Sequence, residues 1–404
     1  MRRIFLILLA LVICVLPALS SAEEAGTASE DYDPLWQYAE PYGFKLGGCF
    51  GIQDMNKKAY MDFLARHFNS LTCTNETKAY SLLDQGASRN APDGMPRMNY
   101  GMADKMIAWA AERNIRVRGH VLVWDAYMTQ WFFHEEYDER KPVADRETVR
   151  ARLASYIDQV MTHFEEKFPG VIYCWDVVNE AIGDNSGEYS PGDSRHLRTV
   201  RGGAPNCFLD YAGDDYVEYA FRCARDTQEK LGADIKLFYN DYNLFFPEKR
   251  AAACELVRSI QAYDSRRLID GVGMQGYMGG YGEQAGCLDP SIITNVKQSI
   301  ETYAGLGLEV QLTEMAVRNF DRTKAAEHDA FYARLFSDVF IKANTAENHP
   351  LTAVCIWGLV DAPEGMKGNY VYNLNSPYGC LLTTDYKIKT CFDAVYRTLK
   401  DGIR

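Results

Sequence analysis

The chain has 404 residues, 47% of them apolar, and carries 55 acidic against 43 basic side chains, for a formal net charge of −12. This length and apolar content are typical of a globular protein with a sizeable core. Because no dense run of Lys or Arg offsets the acidity, nucleic acid and an anionic membrane are excluded as main partners, whereas a neutral polymer is compatible.

Residues 1–22 have the pattern of a secretory leader. Arg2 and Arg3 precede an apolar run, Ile4–Leu16, and small residues follow at Ser20 and Ala22. A membrane-spanning helix needs about 20 apolar residues, so this run is too short to be one. The sequence therefore predicts a cleaved signal peptide at 1–22 and a secreted, extracellular protein. A monomer is the expected state.

The mature chain, 23–404, is predicted to form one domain. Its length would also allow two, but no linker rich in Pro, Ser or Gly divides it. Helix-like stretches with apolar spacing of three and four, such as Val149–Phe168 and Asp215–Leu231, alternate with strand-like runs, which predicts an α/β fold, a single (β/α)8 TIM barrel. Periodicity alone leaves an open doubly wound sheet as the alternative. The strand-like runs are 44–51, 70–76, 115–124, 172–180, 236–243, 271–277, 309–317 and 353–361.

Polar residues recur just past seven of these predicted strands, which favours the barrel. In a barrel the carboxyl ends of all strands meet on one face, where the active site lies. Side chains at these ends could hold sugar hydroxyls or stack on sugar rings, although each one alone could equally be a packing residue. The donors are Lys78, His120, Asn179 and Gln275, and the flat faces are Trp124, Tyr242 and Trp357.

Two carboxylates stand out at strand ends. Glu180 closes the run VIYCWDVVNE, and Glu314 lies in EVQLTEMAV, three strands later. Paired carboxylates suggest hydrolysis of glycosidic bonds. One acid must be protonated at neutral pH while the other is ionised, and the closeness of the two supplies this difference, because one negative charge disfavours a second.

Other site types are not indicated. The string GVGMQG at 271–276 matches the dinucleotide-binding spacing, but the glycine-rich residues 277–282 do not read as the start of a helix. The seven histidines show no metal-binding spacing, so neither a metal nor a cofactor is expected. Ten cysteines follow the leader, an even number that permits disulfides in an exported chain. Cys73, Cys174 and Cys355 lie in apolar runs and are predicted to be buried thiols.

These motifs carry a resemblance. The chain resembles the family-10 glycoside hydrolases, the retaining endo-β-1,4-xylanases built on an eightfold β/α barrel, over nearly all of its mature length. WDVVNEA matches the family's acid/base motif, which implies that role for Glu180 and a 2-hydroxyl contact for Asn179. QLTEM matches the nucleophile motif, which implies that role for Glu314. The resemblance further implies sugar contacts for Asn75, Lys78, His120, Trp124, Gln275 and Trp357.

The chain also departs from the family pattern. Relatives usually carry His at the position of Tyr277 and Asp at that of Ala316, and these two flank the nucleophile as a hydrogen-bonded set. A neutral phenol from Tyr277 could still donate to Glu314, so Tyr277 is predicted as a binding residue, and we hypothesise an altered pH optimum or a reduced rate. Asp125 and Gly365 are further departures, which predict a remodelled sugar pocket.

The segment 183–214 is a long polar stretch after the fourth predicted strand. Its basic residues either are solvent-exposed parts of a loop or bind the glucuronic-acid side chains of xylan. These residues are Arg195, His196, Arg198 and Arg201.

The sequence as a whole predicts a secreted retaining endo-β-1,4-xylanase that hydrolyses internal β-1,4-xylosidic bonds by double displacement. The expected partner is xylan or a related β-linked polysaccharide. Two alternatives stay open: a retaining barrel glycosidase acting on another β-linked glycan, and a non-catalytic glycan-binding relative. The second is disfavoured because a pure binding protein has no need for either Glu180 or Glu314.

Overall fold

A computed structural model of the chain describes residues 29–279, 288–345, 348–363 and 376–402. The predicted leader and Gly365 lie outside these ranges, so the proposed boundary between leader and domain stays a prediction. Within the same ranges, none of the helices combines the length and the apolar character that a bilayer crossing demands.

Eight strands form a closed, all-parallel ring in chain order. Gly47 in the first strand lies opposite Ser70 in the second, and Lys45 lies opposite Ala353 in the eighth, which closes the barrel. The predicted (β/α)8 barrel is thus confirmed, and the open doubly wound sheet was the wrong alternative. The strands are β1 Lys45–Phe50, β2 Ser70–Cys73, β3 Arg116–Gly119, β4 Ile172–Asn179, β5 Lys236–Asp241, β6 Gly271–Met274, β7 Glu309–Val317 and β8 Leu351–Ile356.

In the described part of the chain, one main helix follows each of the eight strands. Local chemistry sets several of their ends: the Asp145 carboxylate accepts from the Thr148 amide at 2.8 Å at the start of the third helix, and Gly232, with φ of +62°, ends the fourth. The seventh continues as a π-helical segment, Leu335–Ile341. The helices are α1 Lys58–His67, α2 Gly101–Ala111, α3 Arg146–Lys167, α4 Tyr216–Leu231, α5 Pro247–Ala262, α6 Pro290–Ala304, α7 Ala325–Arg334 and α8 Thr390–Asp401.

Short strands and short helical turns lie outside the eight strands and eight main helices, mostly in the segments that follow the strands. A two-stranded hairpin, Val200–Arg201 with Ala204–Pro205, stands between β4 and α4. The short strand Tyr277–Met278 extends β6 and pairs with the end of β7. The remaining short helical turns are Ser29–Asp31, Trp36–Ala39, Glu40–Tyr42, Asp54–Asn56, Ala79–Leu82, Gln85–Arg89, Asp125–Tyr127, Gln130–Phe133, Glu135–Tyr137, Phe208–Ala212 and Arg322–Lys324.

The core lies between the strands and the helices. Every residue of β4 is buried, and the Trp175 ring on this strand packs beside Phe164 of α3, with 6.0 Å between ring centroids. All nine cysteines of the described ranges are buried free thiols, which confirms the buried thiols predicted at Cys73, Cys174 and Cys355.

We expect Gly119→Ala to lower the free energy of unfolding by about 1–3 kcal/mol, since overpacking a filled site forces backbone shifts. A Cβ at this position would lie 2.3 Å from the Trp175 ring. Gly86→Ala is the control, because its Cβ would meet only an ordinary contact at 3.5 Å. Urea unfolding of both variants measures the difference, and equal stability would contradict the packing described here.

Candidate active site

A cavity of about 420 Å³ opens at the carboxyl ends of the strands. It brings together nine of the eleven predicted site residues, contributed by seven different strand ends. Three lining residues, Tyr127, Asn243 and Arg318, were not predicted. The full lining is Lys78, His120, Trp124, Tyr127, Glu180, Tyr242, Asn243, Gln275, Tyr277, Glu314, Arg318 and Trp357.

The two remaining predicted residues, Asn75 and Asn179, contact residues of the lining. Asn75 Oδ1 accepts a hydrogen bond from Lys78 Nζ at 3.1 Å. Asn179 Oδ1 accepts from Gln275 Nε2 at 3.2 Å. Both amides therefore position side chains that face the cavity.

Glu180 directly follows β4, and its backbone turns out of the strand with φ of +54°. Its two carboxylate oxygens have different donors. Gln275 Nε2 donates to Oε1 at 2.9 Å, and Arg201 Nη1 donates to Oε2 at 2.9 Å. The residue is buried, so its carboxylate depends on these donors rather than on bulk water.

The environment of Glu180 favours its protonated form. Burial is the main cause and raises the pKa of Glu180 to about 7, with the charges of Asp241 and Glu314 acting in the same direction. Arg201 and the Gln275 hydrogen bond oppose the rise. Glu180 thus holds its proton up to neutral pH, as a general acid requires.

Glu314 lies within β7, and donors from β5 and from the short strand after β6 reach its carboxylate. The Tyr277 hydroxyl donates to Oε2, and Asn240 Nδ2 donates to Oε1 at 3.5 Å. Asn240 is held in turn by the Thr313 hydroxyl, which donates to its Oδ1 at 2.6 Å. Burial and the Glu314 charge place the pKa of Tyr277 well above its usual value, so the phenol stays a donor.

A buried polar chain lies beneath His120. Its Nδ1 is 2.9 Å from Asp176 Oδ2, and Arg118 holds the same carboxylate through two hydrogen bonds of 2.6 and 3.1 Å. Burial alone would raise the pKa of Asp176, but Arg118 and His120 hold it below its ordinary value. The ionised carboxylate accepts a hydrogen bond from the Nδ1–H of His120, which leaves Nε2 as the other polar atom of a ring that lines the cavity.

One wall of the cavity is aromatic. Lys78 Nζ lies 4.9 Å from the ring centroid of Trp124 and 4.4 Å from that of Tyr127. Burial lowers the pKa of Lys78 to about 8, and the charges of Glu314 and Glu180 limit the fall. The wall therefore combines flat stacking surface with a cationic donor.

Three polar atoms near the cavity are buried without a partner among the described residues. They are Trp124 Nε1, Asn179 Nδ2 and Asn243 Oδ1. Buried polar groups are rarely left unsatisfied, so ordered water or the hydroxyl groups of a ligand can serve as their partners.

The segment 183–214 proves to be held against the barrel. Arg198 is buried and donates to the Ile182 carbonyl and to the Tyr242 hydroxyl, at 2.7 and 2.8 Å. Arg195 pairs with Glu218 at 2.9 Å. The interpretation of this segment as a solvated loop is wrong for Arg198, because its guanidinium binds protein groups under the strand ends.

Within the described ranges, one group of side chains has metal-ligand types close together: His328, Asp329 and Cys391, with ligand atoms within 4.8 Å of one another. The group does not line the cavity. His328 Nε2 is 2.8 Å from the Val317 carbonyl, and burial raises the pKa of Cys391 to about 12. Both side chains are engaged by main-chain carbonyls, since Cys391 Sγ also donates to the Cys380 carbonyl at 3.2 Å.

Comparison with known proteins places the chain in a family. The sequence pattern of Glycosyl hydrolase family 10 matches residues 35–398. A putative endo-1,4-β-xylanase from Caldicellulosiruptor saccharolyticus is 35% identical over 70% of this chain and 86% of its own length. Endo-1,4-β-xylanase B from Butyrivibrio fibrisolvens is 31% identical over 81% of this chain, which spans only 48% of that relative.

A solved structure agrees. The CBM22-1 and GH10 modules of the N-terminal endo-1,4-β-D-xylanase 10B of Clostridium thermocellum, complexed with xylohexaose, superpose with a TM-score of 0.76 at 26% identity. The match covers 92% of this chain and 68% of that one. The chain therefore belongs to glycosyl hydrolase family 10.

Proposed function

We propose that this chain is a retaining endo-β-1,4-xylanase that cleaves internal xylosidic bonds of xylan. The observation that carries the proposal is the pair Glu180 and Glu314 on one cavity, with Glu180 holding a proton at neutral pH while Glu314 accepts two hydrogen bonds suited to a carboxylate. Two carboxyl groups in such different surroundings match the division of labour in glycoside hydrolysis.

In the first step, a Glu314 oxygen attacks the anomeric carbon of the sugar. The bond to the leaving-group oxygen breaks, and that oxygen takes the proton of Glu180. The products are a glycosyl ester on Glu314, a free sugar chain and ionised Glu180. The hydrogen bond from Tyr277 holds the attacking carboxylate in place, and buried donors cost little reorganisation as charge moves.

In the second step, Glu180 acts as the base. Esterification has removed the negative charge of Glu314, one of the causes of the high pKa of Glu180. Glu180, already ionised by the first step, therefore stays a carboxylate until it accepts a proton from water, whose oxygen attacks the anomeric carbon. The ester bond breaks, and both carboxyl groups return to their starting states.

A substrate panel tests the proposal. The mature protein is incubated with glucuronoxylan, neutral xylan and mixed-linkage β-glucan, and the released oligosaccharides are resolved over time. We expect short xylo-oligosaccharides from both xylans. Products from β-glucan alone would be consistent with the two-carboxylate mechanism, but the substrate would then be another β-linked glycan and not xylan. Tight binding with no product from any polymer would indicate a glycan-binding protein.

We expect Tyr277→Phe to move the acidic limb of the pH–rate profile to higher pH. The Glu314 carboxylate loses a donor that favours its ionised form, and a hydrogen bond to a charged group contributes about 1.5–3 kcal/mol. Tyr127→Phe is the control, because it removes a phenol from the same cavity without touching Glu314. An acidic limb at the same pH in both variants would contradict the assignment.

The paired replacement Tyr277→His with Ala316→Asp tests the same contact from the opposite direction. Tyr277 and Ala316 are register partners on adjacent strands, so the two new side chains would be neighbours. An imidazole titrates with a pKa of about 6.5 in water, whereas the phenol stays protonated. We expect the pH–rate profile to change, and an unchanged profile would contradict a tuning role for Tyr277.

We also propose that the protein is secreted and acts as a monomer. The leader-like pattern of residues 1–22 supports export. N-terminal sequencing of protein recovered from culture medium tests cleavage after residue 22, and light scattering tests the monomer. Recovery only inside cells, or a dimer mass, would contradict these two statements.

A further inference from the structure

Arg201 contacts Glu180 in two ways. Its Nη1 donates to the Glu180 side chain at 2.9 Å, and its Nη2 donates to the Glu180 main-chain carbonyl, also at 2.9 Å. Arg201 belongs to the hairpin Val200–Arg201 with Ala204–Pro205, which lies between β4 and α4. The guanidinium therefore fixes both the position of Glu180 and the direction of its carboxylate.

Asp125 holds Arg201 in this position. Its Oδ2 accepts from Arg201 Nε at 3.0 Å, and its Oδ1 accepts from Nη2 at 2.9 Å. The Asp125 side chain is only 8% exposed and that of Arg201 25%. A bidentate pair with this little exposure is geometrically specific, so Arg201 is fixed by two anchors from the ends of β3 and β4.

Among the described residues, Arg201 is the cation bonded to the Glu180 carboxylate. Against burial and nearby negative charge, which raise the pKa of Glu180 to about 7, Arg201 is the largest opposing influence. Without it, Glu180 would stay protonated further into the alkaline range. The charged and titratable groups near Glu180 are Arg201, Arg198, Asp241, Glu314, Lys78 and Tyr277, with Gln275 as a neutral donor. Arg198 donates to the Glu180 main-chain carbonyl at 3.4 Å and not to its carboxylate.

We propose that Asp125 and Arg201 form a positioning pair that holds the Glu180 carboxylate and favours its ionised form, which prepares Glu180 to act as the base of the second step. This role rests on the proposed function, because it assigns Glu180 to both halves of the reaction. Asp125 and Arg201 lie 76 positions apart, and the pair links the acid/base to the segment 183–214.

The test measures the protonation of Glu180 directly. The mature protein is labelled with ¹³Cδ-glutamate and titrated by NMR, with the Glu180 signal assigned by its loss in Glu180→Gln. We expect Arg201→Met to raise the titration midpoint by about 1 pH unit or more. Arg201→Lys keeps a cation and should restore most of the original midpoint. Asp125→Asn should give an intermediate rise, because it loosens Arg201 without removing it.

Kinetics supply the second readout. In Arg201→Met the alkaline limb of kcat/KM should move upward with the NMR midpoint. Arg195→Met, in the same segment but paired with Glu218, is the matched control and should leave the midpoint unchanged. An unmoved midpoint in Arg201→Met would overturn the proposal, as would a rate loss equal at every pH. If Arg201→Met fails to fold, unmoved midpoints in Arg201→Lys and Asp125→Asn decide against it.

The two readouts separate this inference from the proposed function. The NMR titration needs no substrate, so a raised midpoint supports the positioning pair even if no glycan is cleaved. Cleavage of xylan with an unmoved midpoint would support the proposed function and contradict the positioning role of Asp125 and Arg201.

Discussion

Glu314→Ala should abolish cleavage of xylan, and azide should restore turnover of an activated aryl β-xylobioside with inverted stereochemistry. Removing the nucleophile deletes the covalent step, and loss of a group that acts as part of a catalytic unit costs about 10⁴-fold or more in rate. A small anion can occupy the space that the carboxylate leaves. It would attack the anomeric carbon from the same face as Glu314, so the product is the α-glycosyl azide.

Glu309→Ala is the matched control for this variant. Glu309 is the first residue of β7, five positions before Glu314, and lies away from the cavity lining. This control should cleave xylan and form no glycosyl azide. Chromatography and NMR of the azide adduct give the measurement. A β-azide product from Glu314→Ala, or substantial remaining cleavage of xylan, would contradict the role of Glu314 as nucleophile.

Glu180→Ala should lose activity to an extent that depends on the leaving group. Xylan needs a proton on a poor leaving group, and general acid–base catalysis contributes about 10²–10⁴-fold. A dinitrophenyl leaving group departs without that proton, so the first step should remain fast while the second slows. We expect a burst of dinitrophenol followed by slow turnover, because the glycosyl ester on Glu314 accumulates.

The same variant should also lose the alkaline limb of the pH profile. Burial raises the pKa of Glu180 to about 7, and the acid is needed in its protonated form. Wild-type kcat/KM on xylan should therefore fall as pH rises through that value. In Glu180→Ala with the activated substrate this limb should be absent, and azide should now yield the β-glycosyl azide. A uniform loss on both substrates would contradict the acid/base assignment.

The part of the site that is built from strand ends could be predicted from the sequence. Glu180 and Gln275 directly follow strands, and Glu314 lies in the second half of another. In a closed parallel ring the carboxyl ends of all strands meet at one face. The donor property of Tyr277 was also readable, because a phenol beside a carboxylate has an obvious acceptor. The alternation of strand-like and helix-like runs thus predicted which residues lie on the carboxyl-end face of the barrel.

The contacts made by irregular segments could not be predicted in this way. Asp125 stood out as a departure from the family pattern, and Arg201 as a basic residue in the polar segment 183–214. No periodic pattern relates the two residues, although they form an ion pair. For Arg198 the sequence allowed either a place in a solvated loop or a contact with glucuronic-acid side chains, whereas its hydrogen bonds to main-chain carbonyls allow it to be buried. Such pairings depend on how a loop folds back, which side-chain spacing does not encode.

The stereochemistry of the first product tests the double-displacement account most directly. Xylohexaose is added to the wild-type protein, and the anomeric protons of the products are followed by ¹H NMR before mutarotation mixes the anomers. Attack by Glu314 followed by attack of water inverts the anomeric carbon twice, so the β anomer should appear first. The α anomer appearing first would contradict the covalent intermediate on Glu314, whatever the substrate preference proves to be.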